Sequence, residues 1–384
     1  MIRLPGLIDP HVHLREPGAT HKEDFDSGTC AALAGGFTMV LAMPNTQPPI
    51  FDGNTLNIAL DAAKQKARCD YAQYLGAGPD NAETVASLAD KAAVLKMYLD
   101  MTFGQLRLDD MTLWMLHFEK YPKKFPIVVH SEGRSMAAAI LFAAIYDRPI
   151  HIAHISLREE VLLIKAAKER GIKVTCEVCP HHLFLSQNDI SSLSGATRSM
   201  GSVVEERPST TGSAPRSGRS EVRPRLATQT DVDALWDNLD VIDCFATDHA
   251  PHTLEEKDSE NPPPGFPGLE TALPLLLSAV DDGPFGAAQG RLLTLDDLIQ
   301  KMYTNPKKIF HLPDQPETWV EVDENATYEI RASEQFTRCG WTPFEGWKVK
   351  GKVRKVILRG KTAFEDGKIL VEKGYGQNIR EQSW

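Results

Sequence analysis

Eight short apolar segments, separated by longer amphipathic ones, are the feature that most limits how this chain can fold. In chain order they are GLIDPHVHL, GFTMVLAMP, DYAQYLGAG, AAVLKMYL, FPIVVHSE, PIHIAHIS, IKVTCEVCP and VIDCFATDH. Apolar runs of this length are typical of parallel strands that are buried on both faces, and the stretches between them have the spacing of amphipathic helices. The alternation extends from about residue 6 to about residue 250. It predicts an α/β fold, a (β/α)8 barrel of the TIM type.

Segments outside this alternation predict the rest of the organisation. Residues 191–220 are rich in Ser, Gly, Arg and Pro, which predicts a disordered surface insertion, and DDGPFGAAQGR at 281–291 is also irregular. The last segments alternate with period two between glycines, which predicts a small β-rich accessory region formed by the chain ends. We therefore expect a barrel over residues 1–340 and a small β-rich region over residues 341–384.

Charge, hydropathy and cysteine content argue against several classes of protein. The net charge is −10 and the sequence pI is near 5.7, so a nucleic-acid-binding surface is not expected. No apolar run is long enough to span a membrane and no signal-like segment begins the chain, so a cytoplasmic enzyme is expected. Six cysteines in 384 residues do not form a disulfide framework. The pair Cys176 and Cys179 could bind zinc or serve redox chemistry, or could lie at the end of a buried strand.

Residues of the kinds that bind metals stand at the carboxyl ends of several predicted strands. His11 and His13 are two apart on the first strand, so both side chains face the same side, which in a barrel can be the lumen. His130, His154 and Asp248 end three further strands. Barrel enzymes build their active sites at this rim. The pattern therefore predicts a metal centre there.

Lys96 lies inside the apolar segment AAVLKMYL, where a cation is costly unless it is paired or modified. It could extend to solvent from the strand end. Alternatively, a lysine at a metal site can lose its proton and react with carbon dioxide, giving a carbamate that bridges two metals. In that case His11, His13, Lys96 and Asp248 would hold one zinc ion, and Lys96, His130 and His154 the other. Imidazole and carboxylate ligands suit zinc, although cobalt and manganese stay open.

Longer motifs extend over nearly the whole chain. They are GLIDPHVHLREPG (6–18), AMPNTQPP (42–49), LKMYL (95–99), HSE (130–132), HIAHIS (151–156), CEVCPHHLFL (176–185), EVRPRL (221–226) and ATDHAPHTLEEK (246–257), followed by PPPGFPGLET. In combination they resemble the dihydroorotase family of the amidohydrolase superfamily, in the form that is one domain of the animal multifunctional pyrimidine-synthesis protein. The segments 191–220 and 281–291 depart from the family pattern.

The resemblance implies a reaction and a set of residues for it. The reaction is the reversible cyclisation of N-carbamoyl-L-aspartate to L-dihydroorotate plus water, a step of pyrimidine biosynthesis. It implies two zinc ions with a bridging hydroxide, a carbon dioxide-derived carbamate on Lys96, and Asp248 as the catalytic proton shuttle. The implied substrate-binding residues are Arg15, Asn45, Arg223, His252 and Pro264. A substrate with two carboxylates also requires forked cationic donors on chemical grounds.

Several alternatives stay open at this point. The segment with Thr102 and Phe103 could close over the substrate as a lid, or it could be an ordinary loop. Glu177 could orient a ligand histidine, or it could bind a third metal ion. The metal ligands alone fit a dihydropyrimidinase, hydantoinase or allantoinase equally well, and a dihydroorotase-like domain can also be a catalytically silent scaffold. Arginines directed at carboxylates would favour the dihydroorotase reaction over neutral cyclic amides.

The position of the first apolar segment suggests an expectation about partners. The chain begins almost on that segment, so we expect no leading β-segment before the barrel. Such a start suits a domain of a longer polypeptide, in which the fused partners would be other pyrimidine-pathway enzymes such as aspartate transcarbamoylase. A homodimer is the expected assembly.

Overall fold

A computed structural model of the chain describes residues 1–102, 104–193, 218–280 and 293–381. Most of the predicted insertion, residues 194–217, lies outside the described residues, as do Phe103 and the irregular segment 281–291. The described ends of the insertion are regular, because its first residues end the helix Ile190–Leu193 and its last ones form the 3-10 turn Gly218–Ser220.

Fourteen strands are present in the described part of the chain. They are β1 (Ile2–Pro5), β2 (Leu7–Val12), β3 (Phe37–Ala42), β4 (Asp70–Gln73), β5 (Leu75–Gly76), β6 (Leu95–Tyr98), β7 (Ile127–His130), β8 (Ile150–Ile152), β9 (Val174–Val178), β10 (Cys244–Phe245), β11 (Trp319–Glu329), β12 (Lys348–Leu358), β13 (Lys361–Glu365) and β14 (Lys368–Ile369).

Helices alternate with the parallel strands and continue after them. They are α1 (Phe25–Ala34), α2 (Gly53–Lys66), α3 (Ala82–Ser87), α4 (Met111–Lys120), α5 (Arg134–Ile145), α6 (Arg158–Glu169), α7 (Pro180–Phe184), α8 (Ile190–Leu193), α9 (Gln229–Asp237), α10 (Leu254–Lys257), α11 (Ala272–Ser278), α12 (Leu295–Ile299) and α13 (Asn305–Ile309). A π-helical turn, Gln300–Thr304, joins the last two. None of the described helices combines the length and apolar character needed to cross a membrane.

Strands β2 to β10 form the barrel. They run parallel in two hydrogen-bonded sheets, ordered β2-β3-β4 and β10-β9-β8-β7-β6-β5. Only Tyr74 separates β4 from β5, so the two occupy one strand position and the total is eight. Val12 at the end of β2 forms a parallel bridge with His249, which brings the last strand back to the first. The predicted (β/α)8 barrel is therefore confirmed.

Burial explains why the apolar runs become barrel strands. Every residue of β3 and of β7 is buried, because the lumen covers one face and the helices cover the other. The helix α6 shows the matching pattern, with Val161, Ile164 and Ala167 buried on one face. It ends before Gly171, whose φ of 75° is a conformation that glycine adopts without strain. The apolar runs, the helical spacing of buried residues and the terminal glycine that predicted these elements thus agree with their positions in the structure.

A separate antiparallel sheet is built from both chain ends, in the order β1-β11-β12-β13-β14. Its existence confirms the predicted β-rich accessory region. The expectation of no leading β-segment is wrong, because Ile2–Pro5 pair with Trp319 to Val322. Gly6 lets the chain pass from this sheet into the barrel, since a Cβ there would lie 2.3 Å from the Thr38 hydroxyl. The sheet takes strands from both sides of residue 340, and a domain division there stays a prediction.

The six cysteines are buried and have free thiols. The side chains of Cys176 and Cys179 have different surroundings. The Cys176 thiol donates to the carbonyl of Val241 at 3.6 Å, whereas Cys179 lies beside His181 and His182 beyond the end of β9. The interpretation of this pair as part of a buried strand end agrees with these positions.

Candidate active site

The carboxyl ends of the barrel strands bring most of the predicted site residues to one cavity. His11 lies within β2 and His130 ends β7, while His154 and Asp248 follow β8 and β10. The cavity is lined by His11, His13, Arg15, Asn45, Tyr98, Thr102, His130, His154, Arg223, Asp248, Ala250, Pro264 and Gly265. The other predicted residues, Lys96, Glu177 and His252, are almost fully buried. The candidate active site therefore lies at the rim of the barrel.

Three of the predicted ligands form a compact group. Asp248 Oδ1 lies 3.0 Å from His13 Nε2 and 3.3 Å from His11 Nε2. Burial opposes the charged form of Asp248, but its close interactions with His11 and His13 outweigh burial and hold its pKa well below the usual range. An ionised carboxylate between two imidazole nitrogens is a donor set that suits zinc.

A second pair of ligands faces the first group. His130 Nδ1 lies 2.9 Å from His154 Nε2, and the His154 ring centroid is 5.2 Å from that of His11. Burial lowers the pKa of His130 to about 3 and that of His13 to about 4, and it lowers the pKa of His154 well below its usual value. These rings are therefore neutral at pH 7, which is the form that binds a metal.

Lys96 is fully buried between these groups and the barrel interior. Its Nζ has no hydrogen-bond partner, so the alternative in which the side chain extends to solvent does not fit. Burial lowers the pKa of Lys96 to about 8, with partial compensation from the charges of Glu177 and Asp248. An amine with a lowered pKa is more readily the neutral nucleophile that carbamate formation requires.

Three buried nitrogen atoms at this site lack hydrogen-bond partners. They are Lys96 Nζ, His130 Nε2 and His154 Nδ1, and the carboxylate oxygen of Glu132 nearest to His130 Nε2 is 3.7 Å away. Buried polar atoms without partners are uncommon in folded proteins. A set of neutral imidazoles, an ionised carboxylate and an unpaired amine fits a metal centre with a modified lysine better than it fits a hydrogen-bonded core.

Asn45 and Glu177 hold the ligand histidines in orientation. Asn45 Oδ1 is 2.7 Å from His13 Nδ1, and Glu177 Oε1 is hydrogen-bonded to His11 Nδ1. The other oxygen of Glu177 is 3.1 Å from His151 Nε2. Each ligand ring therefore gives its Nδ1 hydrogen to an acceptor and presents Nε2 to Asp248. Both oxygens of Glu177 contact imidazoles, which fits an orienting role, and a third ion at Glu177 stays a prediction.

Replacing Glu177 with glutamine is expected to weaken zinc binding by about 10–100-fold while the fold is retained. The neutral amide accepts more weakly from His11 and turns an N–H toward one of its two imidazole partners. Competition against a chromophoric chelator measures the zinc affinity. Glu159→Gln, an exposed carboxylate on α6, is the matched control. An unchanged zinc affinity in Glu177→Gln would contradict this role.

Strained backbone marks three residues of the site. Arg15, His154 and Asp248 have φ values of 59°, 36° and 44°, in the left-handed region that non-glycine residues rarely adopt. Each such residue costs on the order of 1–3 kcal/mol, and such conformations cluster at functional sites. The strain turns a ligand or an arginine out of the strand direction and into the cavity.

The predicted substrate residues Arg15, His252 and Pro264 form a connected group. His252 Nε2 donates to the carbonyl of Pro264 at 3.0 Å, and Arg15 Nη2, itself a donor, packs against the same nitrogen at 3.0 Å without a hydrogen bond. The ammonium of Lys22 donates to His252 Nδ1 at 3.0 Å. Since an ammonium cannot accept, Lys22 fixes the tautomer of His252. Burial and the charges of Arg15 and Lys22 hold the pKa of His252 far below its usual value, so the ring is neutral.

Arg223 and the predicted lid lie at the mouth of the cavity. Arg223 is half-buried, and its Nη1 is 3.1 Å from Glu221 Oε2 and donates to the carbonyl of Val222 at 2.9 Å. Thr102 lines the same cavity as Arg223, whereas Phe103 lies outside the described residues. A Cβ placed on Gly104 would lie 3.3 Å from Asn45 Cβ, so this segment passes directly over the site.

Several residues of the site were not identified from the sequence. Lys22 and His151 each bond to a predicted site residue from a distant part of the chain. Asp9 lies beneath the site, where its carboxylate accepts from the Thr247 backbone and from the His11 amide, and burial raises its pKa to about 7. Asp9 is two positions before His11 and four before His13, so all three side chains face the same side of the first strand. That spacing could have identified Asp9 from the sequence.

Known proteins resemble this chain over nearly its whole length. Residues 1–104 match a family model described as dihydro-orotase-like. The multifunctional protein CAD of Squalus acanthias is 54% identical over 380 residues, 99% of this chain and 16% of that protein. The dihydroorotase of Pyrococcus furiosus is 36% identical and the match covers 96% of this chain and 82% of that enzyme. The chain thus spans about one-sixth of the multifunctional relative.

Solved structures have the same architecture. An L-hydantoinase (dihydropyrimidinase) from Arthrobacter aurescens superposes with a TM-score of 0.84 at 24% identity, over 98% of this chain and 88% of that one. An inactive dihydroorotase-like domain of a CAD-like multifunctional protein from Chaetomium thermophilum superposes with a TM-score of 0.77 at 29% identity, over 98% and 99% of the two chains. The similarity to the L-hydantoinase, at 24% identity, supports the barrel fold alone.

Proposed function

The chain belongs to the dihydroorotase family, and from this premise we propose that it catalyses the reversible cyclisation of N-carbamoyl-L-aspartate to L-dihydroorotate plus water. This reaction is a step of pyrimidine biosynthesis. The observation that carries the proposal is the lining of a single cavity. The proposed histidine and aspartate metal ligands line this cavity together with Arg15, Asn45 and Arg223. A carboxylate-bearing cyclic amide needs both sets at once.

The donor set fits two zinc ions, with His11, His13 and Asp248 on one side, His130 and His154 on the other, and Lys96, as a carbamate, between them. When bound, the ions supply hydroxide at neutral pH and polarise the ring carbonyl. Asp248 is the proposed acid–base residue, because its ionised carboxylate lines the cavity beside the ligand histidines, where it can accept a proton. It then delivers that proton to the departing ring nitrogen. In the biosynthetic direction the transfers are reversed.

The remaining residues bind and orient the substrate. Arg15 and Arg223 provide charge-assisted hydrogen bonds to carboxylate oxygens. The neutral His252, with its proton on Nε2, is a directed donor, and Pro264 positions it through a carbonyl. Thr102 and Phe103 belong to the segment that we propose closes over the bound substrate and excludes water.

The test is turnover of L-dihydroorotate and of N-carbamoyl-L-aspartate by the purified chain, with the zinc content measured on the same sample. Dihydrouracil, which has the ring but no carboxylate, is the control substrate. Turnover of both substrates with about two zinc ions per chain and none of dihydrouracil is the expected result. A folded, zinc-loaded chain that hydrolyses dihydrouracil but not dihydroorotate would contradict the proposal.

Arg223→Met is expected to raise KM for L-dihydroorotate by about 10–100-fold, since one charge-assisted hydrogen bond to a carboxylate is lost. The zinc content should not change, because Arg223 bonds to Glu221 and Val222 and not to a ligand. Steady-state kinetics measures the effect. Arg170→Met, an exposed arginine directly after α6, is the matched control. An Arg223→Met chain with the wild-type KM would remove Arg223 from the binding site.

Two alternative functions are compatible with the same barrel fold. A hydantoinase or dihydropyrimidinase would use the same ligands, but a neutral ring would not need arginines in the cavity. The second alternative is a scaffold domain without catalytic activity, since one similar structure is described as an inactive dihydroorotase-like domain. The presence of all predicted ligands in this chain favours catalysis. A metal-free, inactive but folded chain in the same assay would favour the scaffold.

The similarity to multifunctional relatives supports a proposal about context. We propose that the chain acts in the cytoplasm as one domain of a longer protein, fused to other pyrimidine-pathway enzymes such as aspartate transcarbamoylase, and that it forms homodimers. The division into a barrel over 1–340 and a β-rich region over 341–384 belongs to the same proposal. Sedimentation of the purified chain tests the dimer, and a monomer at all concentrations would contradict it.

A further inference from the structure

We propose that Cys179, His181 and His182 form an additional cation site, for a thiophilic divalent ion such as zinc, with ligands different from those of the candidate active site. One potential ligand atom from each residue lies within 4.8 Å of those of the other two. In the described part of the chain, the only other such group of three is His11, His13 and Asp248. Thiolate sulfur and imidazole nitrogen are the ligands that zinc prefers in proteins.

Local structure brings the three side chains together. Cys179 follows β9 directly and precedes α7, whose first residue is Pro180. The chain turns sharply there, so residues that are close in sequence share one pocket. The ring centroids of His181 and His182 are 4.3 Å apart. Cys179 is fully buried and both histidines are nearly so, at 3% and 2% exposure.

The hydrogen bonds of the two histidines leave nitrogen atoms for a ligand. His182 Nε2 lies 3.0 Å from the carbonyl of Pro224, which can only accept, so the ring proton is on Nε2 and Nδ1 has a free lone pair. His182 Nδ1 and His181 Nε2 both lack a hydrogen-bond partner. Leaving such atoms unpaired in a buried position is costly, and a bound cation removes that cost. Burial lowers the pKa of His182 to about 4, so its ring is neutral.

This site is chemically distinct from the catalytic one. The ligands proposed for catalysis are histidines, a lysine and an aspartate, and include no cysteine. The thiol of Cys179 loses its proton when an ion binds, because the thiolate is the ligand. Three protein ligands leave the fourth tetrahedral position open for water. The proposal does not rest on the proposed function, since these three residues have no part in that reaction.

Cobalt substitution tests the site, because a thiolate bound to Co²⁺ gives a near-ultraviolet charge-transfer band that imidazole and carboxylate ligands do not. The full chain is freed of metal with a chelator, and Co²⁺ is added while the absorption and the bound cobalt are measured. We expect the band in the wild-type chain and about one bound ion more than in Cys179→Ala. In Cys179→Ala the band should vanish while the visible absorption of cobalt at the catalytic ligands remains.

Cys176→Ala is the matched control, a nearby buried cysteine within β9 whose thiol contacts Val241. It should keep the band. His181→Asn provides a second variant that leaves the His182 contact to Pro224 in place, and it should weaken the thiolate-bound cobalt by at least about tenfold, the effect of about 1.4 kcal/mol of lost binding energy. Absence of the band in the wild-type chain, or its persistence in Cys179→Ala, would overturn the proposal.

Discussion

Asp248→Asn is expected to lower kcat for L-dihydroorotate by about 10²–10⁴-fold. The carboxylate oxygen of Asp248 is 3.0 Å from His13 Nε2 and 3.3 Å from His11 Nε2, so it stands where a ligand and a proton acceptor are both required. Asparagine keeps the shape of the side chain. It cannot accept a proton at neutral pH, and it provides no negative charge for a metal.

Zinc analysis of the same variant separates the two roles of Asp248. If both ions stay bound while turnover is lost, proton transfer is the missing function. If one ion is lost, the ligand role dominates. Asp233→Asn on α9, an exposed aspartate far from the cavity, is the control and should have wild-type kinetics. Near-normal turnover in Asp248→Asn would refute the assignment of this residue.

The barrel was predictable because burial on both faces leaves a simple trace in the sequence. Each apolar run became a strand position, even where the strand is as short as Cys244–Phe245. The accessory sheet was only partly predictable. Ile2–Pro5 is too short to show a period. Strand β11 alternates apolar and polar residues at first, but register shifts between Glu321 and Thr327 interrupt the alternation. Prediction from periodicity therefore failed where a bulge interrupted the alternation or where the strand was too short to show it.

The position of the candidate ligands could also be expected, since strand ends meet at one rim. Their hydrogen-bond partners could not. Asn45 was predicted to bind substrate, and its side-chain oxygen is directed at His13. Glu177 joins His11 to His151, and Lys22 fixes the tautomer of His252. These pairs are formed by residues 26 to 230 positions apart in the chain. Only the folded backbone determines such distances.

Lys96→Met is expected to reduce turnover of L-dihydroorotate by about 10³-fold or more, because loss of metal binding removes several kcal/mol of transition-state stabilisation. The side chain of methionine resembles that of lysine in length and suits a fully buried position. It cannot form a carbamate. The zinc content should fall, since Lys96 is the residue proposed to be shared by both ions.

The stability of the metal-free chain gives an independent reading of the same variant. Without metal, the wild-type chain contains a buried amine with no hydrogen-bond partner, and methionine removes that cost. Metal-free Lys96→Met should therefore melt at the same temperature as metal-free wild type or higher, although it is inactive. With ¹³C-bicarbonate, the zinc-loaded wild-type chain should show a carbamate carbon resonance that the variant lacks. An active Lys96→Met chain would refute the carbamate, whereas a variant that is both inactive and less stable without metal would assign Lys96 to packing of the barrel.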